Sequence, residues 1–202
     1  MPRRRQVFLL SPARCDGERA RVLLNPVATF PLAVRLRSEG AELGEVFSFL
    51  SGLYFRGKLA YARAFAYAPR AVPPALVITT DRGLMLPEDR VTRDDLLRFA
   101  EVDIAAGGAR HRDPLRRDGQ ALLERLPKTT RVVLLGSIAV GKYVDSFLDI
   151  FGERLVFPLA FVGRGDMSRG GLMLRHAREG EELEYVPVLG AVRRGRRPPK
   201  LV

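Results

Sequence analysis

Cysteine and histidine are scarce in this chain of 202 residues. The single cysteine, Cys15, excludes an intramolecular disulfide, and with only His111 and His176 beside it the chain lacks the material for a Cys/His zinc site. Long apolar runs are also missing. The first, residues 7–10, is cut off by Ser11-Pro12 and is too short for a signal-peptide core. No stretch approaches the ~18 apolar residues of a membrane span, so no membrane partner and a cytoplasmic location are expected. No internal repeat or distinct linker divides the sequence, which reads as one domain over residues 1–192 and a basic tail over 193–202.

Acidic residues are absent from both ends. The formal net charge is +11, and Arg3, Arg4, Arg5, Arg193, Arg194, Arg196, Arg197 and Lys200 carry eight of those charges. Basic arms of this kind suit nucleic acid or another polyanion, or serve only to keep the chain dispersed in water. What is present in quantity is apolar: 47% hydrophobic residues against 28% charged, ordinary for a globular chain and far from disorder.

The hydrophobic pattern alternates strand with helix. Residues 6–10 and 131–135 read as buried strands, and residues 75–80 as a β-branched strand running into the turn Asp81-Arg82-Gly83. Residues 30–36 fit strand or helix. Helices are expected from residue 42, across Phe55, Leu59, Ala62 and Ala66, after the capping box Thr92-Arg93-Asp94-Asp95, and from Asp113-Pro114, where a cap precedes Pro at the first helical position. Pro158 demotes the strand over residues 155–162 or places it at an edge. Residues 163–171 read as a glycine-rich loop, and 183–189 as a last strand. This alternation predicts a three-layer α/β domain, with a mostly parallel central sheet and helices on both faces. Ligands of such sheets gather at strand carboxyl ends, so the segments after Leu10, Thr80, Leu135 and Val162 are the ones to examine.

Gly136-Ser137-Ile138-Ala139-Val140-Gly141-Lys142-Tyr143 follows the strand ending at Leu135. It matches the phosphate-loop pattern G-x-x-x-x-G-K-[ST] except at the last position. Gly136, Ser137, Gly141 and Lys142 are therefore candidate phosphate contacts. Tyr143 replaces the small hydroxyl that would hold Mg²⁺, so Mg²⁺ enters only if the phosphate-loop reading holds; no other metal site is expected. The alternative is a tight strand-to-helix turn that needs glycine for backbone freedom.

Tyr54, Lys58, Tyr61 and Phe65 share one helical face, flanked by Arg56 and Arg63. Aromatics interleaved with cations suit stacking on bases and pairing with phosphates, which makes Tyr54, Arg56 and Lys58, together with tail residues Arg193, Arg194, Arg196 and Arg197, candidate nucleic-acid contacts. An amphipathic helix with half-buried tyrosines and solvated cations is the plainer alternative. In Gly163-Arg164-Gly165-Asp166-Met167-Ser168-Arg169-Gly170, Arg164 and Arg169 are candidate phosphate clamps and Asp166 a candidate acid/base group. Asp81, at a strand's carboxyl end, is the second candidate carboxylate, or caps its own turn. Cys15 and His111 are weaker candidates for a nucleophile and an acid/base group.

The stretches Leu53-Tyr54-Phe55-Arg56-Gly57-Lys58-Leu59-Ala60-Tyr61-Ala62 and Ile78-Thr79-Thr80-Asp81-Arg82-Gly83-Leu84-Met85-Leu86-Pro87 resemble a family of small bacterial α/β proteins of unknown function. In that family an aromatic-basic helix precedes a strand ending in a Gly-Leu-x-x-Pro turn. The layout is also similar to that of uracil-DNA glycosylase-like α/β proteins, without their water-activating motif or His-Pro-Ser loop. That likeness transfers no catalytic residue and implies only a nucleic-acid context.

The expectation is a nucleic-acid- or nucleotide-binding protein, with catalysis left open. A small-molecule nucleotide enzyme built on residues 136–142, and a non-catalytic protein docking an acidic partner through its basic tail, are the alternatives.

Overall fold

The computed structural model describes residues 4–106, 108–139, 141–193 and 195. A six-stranded, mostly parallel sheet organises them. β1 (Gln6–Leu10) pairs in parallel with β3 (Ala75–Ile78) on one side and β6 (Arg131–Leu135) on the other. β7 (Leu155–Pro158) continues the parallel set beyond β6. Short antiparallel strands, β4 (Leu84–Met85) beside β3 and β8 (Tyr185–Pro187) beside β7, form the two edges, giving the order β4-β3-β1-β6-β7-β8. Val7, Phe8, Leu9 and Leu10 are all fully buried. Successive side chains of a strand point to opposite faces, so β1 is covered on both. This is the burial that a continuous apolar run predicts.

Eight α-helices accompany the sheet among the described residues: α1 (Glu18–Leu24), α2 (Pro31–Ser38), α3 (Leu43–Ser51), α4 (Leu53–Phe65), α5 (Arg93–Glu101), α6 (Ala109–Arg125), α7 (Lys142–Phe151) and α8 (Asp166–Glu179). β2 (Ala41–Glu42) and β5 (Arg90–Val91) make a separate two-stranded ribbon. The expected capping box is formed: the Thr92 hydroxyl accepts from the Asp95 N–H and the Asp95 carboxylate accepts from the Thr92 N–H at 2.8 Å. Thr92→Ala removes the Asp95 N–H partner and lowers stability by about 1 kcal/mol, measurable as a shift of the urea midpoint.

Residues 30–36, open between strand and helix, resolve as helix from Pro31, which sits at the first turn of α2, where its missing N–H costs nothing. Three local expectations are corrected. α6 begins at Ala109 instead of Asp113, and Pro114 lies inside it. The buried His111 anchors that extra turn: its Nδ1 lies 2.9 Å from the Thr80 carbonyl oxygen. Pro158 closes an interior strand without demoting it, because it is the last residue of β7. Finally, residues 166–171 are the start of α8 and not a loop. Gly170, which reads as a loop residue, is there to let two helices touch. A Cβ at Gly170 would lie 2.6 Å from the Leu53 carbonyl oxygen, and one at Gly57 would lie 2.6 Å from that of Gly170. α4 and α8 therefore meet backbone to backbone, and each contributes a residue, Tyr54 and Asp166, to the cleft described next.

Candidate active-site cleft

The chain runs from β1 outward to β3 and then returns past β1 to β6, so the strand order reverses at β1. A crevice opens outside the carboxyl ends of the strands at such a reversal. Here a cleft of about 640 Å³ lies there. All four segments singled out in the sequence contribute to it. Ser11 to Asp16 come from the end of β1, Thr80 from the end of β3, Ser137 and Tyr143 from the region after β6, and Asp166 from the start of α8. Tyr54 and the stretch Phe99 to Ile104 complete the wall.

Ser11 is the residue around which the floor is built. Directly behind it the fully buried Lys58 sends its ammonium to the Ser11 Oγ at 2.6 Å and to the Ser11 carbonyl oxygen at 2.9 Å. The same nitrogen stands 3.9 Å from the centre of the Tyr54 ring, one helical turn away, a cation–π contact. Burial opposes the charged form and pushes Lys58 down to about 7, while Asp166 pulls it up and Arg169 down. Tyr143, buried, turns its hydroxyl to Ser11 and to the Ser137 carbonyl oxygen at 3.5 Å; burial pushes it up to about 12. Gly136 makes this meeting sterically feasible, since a Cβ there would stand 2.7 Å from the Tyr143 hydroxyl and 2.8 Å from Ser11 Cβ. The Tyr54 hydroxyl is buried and is raised by desolvation, with Arg169 acting against it.

The candidates read from the sequence separate into several groups. Asp166 lines the cleft, two-thirds exposed, with its Oδ1 3.5 Å from Arg169 Nη1. Arg169 directs its other nitrogens to the Phe161 carbonyl oxygen at 3.1–3.2 Å. Arg164 donates to the Ala160 carbonyl oxygen at 3.0 Å and to the Ser168 hydroxyl at 3.2 Å. Both guanidiniums thus tie the entry of α8 to the turn Leu159–Phe161 that follows β7. Asp81 is largely buried, 3.6 Å from Arg110 and 3.9 Å from Arg98, and does not line the cleft.

In the glycine turn, Ser137 lines the cleft and its Oγ accepts from the Ala139 N–H at 3.3 Å. Lys142 is the first residue of α7. Gly141 precedes it, with the carboxylate of Asp145 packed so closely that a Cβ at 141 would collide with its Oδ2. Asp145 is met in turn by Arg193 at 3.2 Å. An anion on this turn would share it with that carboxylate. Arg194, Arg196 and Arg197 lie outside the described residues.

The aromatic-basic face of α4 is not a displayed surface. Tyr54, Lys58, Tyr61 and Phe65 are all buried, and Arg56 is exposed on the opposite side of the same helix. Neither view of that face, nucleic-acid platform or solvated amphipathic helix, anticipates a lysine with no exposed surface. Cys15 lines the cleft, but burial pushes its thiol up to about 12, which keeps it protonated and unreactive. Burial pushes His111 below the ordinary imidazole range, against the opposing pull of the Thr80 and Thr79 backbone.

Sequence reasoning missed Ser11 and Tyr143 as site residues. Ser11 reads as a strand terminator, and only its place at the carboxyl end of a fully apolar strand signals more. Among the described residues no group of three or more His, Cys, Asp or Glu side chains is arranged to hold a metal ion, and no helix is long and apolar enough to cross a membrane. No family, curated protein or solved structure matches the chain.

Proposed function

We propose that the protein binds nucleic acid and receives one unpaired nucleoside unit in the cleft at the carboxyl end of β1. The observation that carries this is a concave site lined by Tyr54, Phe99 and Tyr143 together with Ser11, Thr80 and Ser137, in a chain of net charge +11. Its volume is in the range of small-molecule sites. The charge distribution divides the labour. Among the described residues the cleft lining carries Asp16, Glu101, Asp103 and Asp166 against Arg14, which disfavours phosphates on the floor and suits an uncharged base and sugar. The phosphates then lie outside, on the basic groups concentrated at the chain's ends.

Equilibrium binding of a labelled single-stranded oligonucleotide at two salt concentrations tests this. Affinity falls steeply with salt for the whole chain, a chain ending at Val192 binds more weakly, and Arg14→Glu at the rim weakens binding further. Free nucleoside competes for the cleft. Absence of binding at low salt contradicts the proposal.

A further inference from the structure

We propose that Ser11 is a catalytic nucleophile, with Lys58 as its general base, acting on an uncharged carboxylic ester presented in the cleft. The geometry behind this is independent of the nucleic-acid reading. Ser11 faces the cleft, Lys58 lies behind it out of solvent, and the two side chains are 2.6 Å apart. A nucleophile within hydrogen-bond reach of a base that is itself oriented is the arrangement covalent catalysis requires, and serine–lysine pairs are one of its recurring forms.

Two contacts orient the base: the Ser11 carbonyl oxygen at 2.9 Å and the Tyr54 ring at 3.9 Å. Tyr143 approaches Ser11 from α7 and positions its hydroxyl. Among the described residues the charges that act on Lys58 are Asp166 and Arg169, both on α8 and opposed in effect, while Tyr54 from its own helix and Tyr143 from α7 are uncharged at neutral pH. Burial lowers the lysine to about 7, so a neutral amine able to accept a proton is present near neutrality. The carboxylates among the described lining residues disfavour an anionic phosphodiester as the electrophile and favour an uncharged carbonyl carbon.

The step balances without a further reactant except water. Ser11 Oγ bonds to the carbonyl carbon as its proton passes to Lys58 Nζ. The bond to the alkoxide then breaks, and the departing oxygen takes that proton. Water attacks the acyl-serine, its proton passes to Lys58 and on to Ser11 Oγ, and the carboxylic acid leaves.

The test is covalent labelling by an uncharged alkyl fluorophosphonate ester between pH 5.5 and 9, with the modified residue located by peptide mass spectrometry. One addition at Ser11 is expected, rising through half-maximal rate near pH 7. It is absent in Ser11→Ala, and at least ~100-fold slower in Lys58→Met and Lys58→Arg. Far-UV circular dichroism establishes that each variant is folded. The pH profile of the wild-type chain decides the matter if neither lysine variant folds. No label on Ser11 of the wild-type chain, a rate flat across this pH range, or a wild-type rate in a folded Lys58 variant overturns the proposal.

Discussion

Gly170→Ala lowers the unfolding free energy by about 2 kcal/mol, or roughly 4–8 °C in melting midpoint for a chain of this size. The neighbours of the added methyl would be the Leu53 carbonyl oxygen at 2.6 Å, the Leu53 carbonyl carbon at 2.8 Å and Tyr54 Cα at 2.8 Å. All are backbone atoms of the α4 N-terminal turn, so no side chain can rotate out of the way and the helices must separate. Gly171 provides the control. It lies in the same helix with nothing within 4 Å of the place a methyl would take, so Gly171→Ala gains up to about 1 kcal/mol from helix propensity alone. Thermal melts of the two variants should move in opposite directions; a Gly170→Ala midpoint equal to wild type contradicts close α4–α8 packing. Because Tyr54 and Asp166 sit at the facing ends of these helices, Gly170→Ala also disturbs the cleft.

Lys58→Met changes the pH dependence of stability. An unfolded lysine keeps its proton to about 10.5, whereas burial brings the folded one to about 7. Between these values the unfolded chain binds more protons, so the wild-type chain gains stability as pH rises through this window, and below pH 7 it bears the full cost of a buried ammonium. Methionine, similar in length and uncharged, removes that cost at every pH. The stability of the variant relative to wild type is therefore greatest below pH 7 and falls by on the order of 3 kcal/mol by pH 9.5. Asp166, Arg169, Tyr54 and Tyr143 are common to both chains and cancel in the difference. Urea titrations of both chains at pH 6.5 and 9.5 measure it. A difference independent of pH would mean that Lys58 keeps its ordinary proton affinity inside the fold.

Much of the architecture is legible in the sequence because it depends on local chemistry. The apolar runs of β1, β3 and β6 and the Thr92–Asp95 box specify their elements through nearest neighbours alone. The parallel sheet then tells where ligands gather, and the cleft lies there. What escapes is decided by contacts between segments far apart. Gly163 to Gly171 is rich in residues that favour loops, yet from Asp166 it is helical, because Gly170 meets Gly57 more than a hundred residues away. Lys58 looks solvated in sequence, since one lysine among tyrosines carries no sign of what will stand over it; only the fold brings Ser11 to it. The Gly136–Lys142 turn illustrates the reverse case. Its glycines carry a phosphate-loop signature, but the structure gives Gly136 a different reason to be glycine, the approach of Tyr143 to Ser11.

The central claim is that ligand enters the cleft at the carboxyl end of β1. Backbone amide NMR of the isotope-labelled chain, titrated with a short single-stranded oligonucleotide, tests it most directly. The cleft predicts shifts at Ala13 to Asp16, Ser137 and Asp166, saturating together with those of the basic ends. Shifts confined to the ends, with the amides around Ser11 and Ser137 unmoved at saturation, would contradict it.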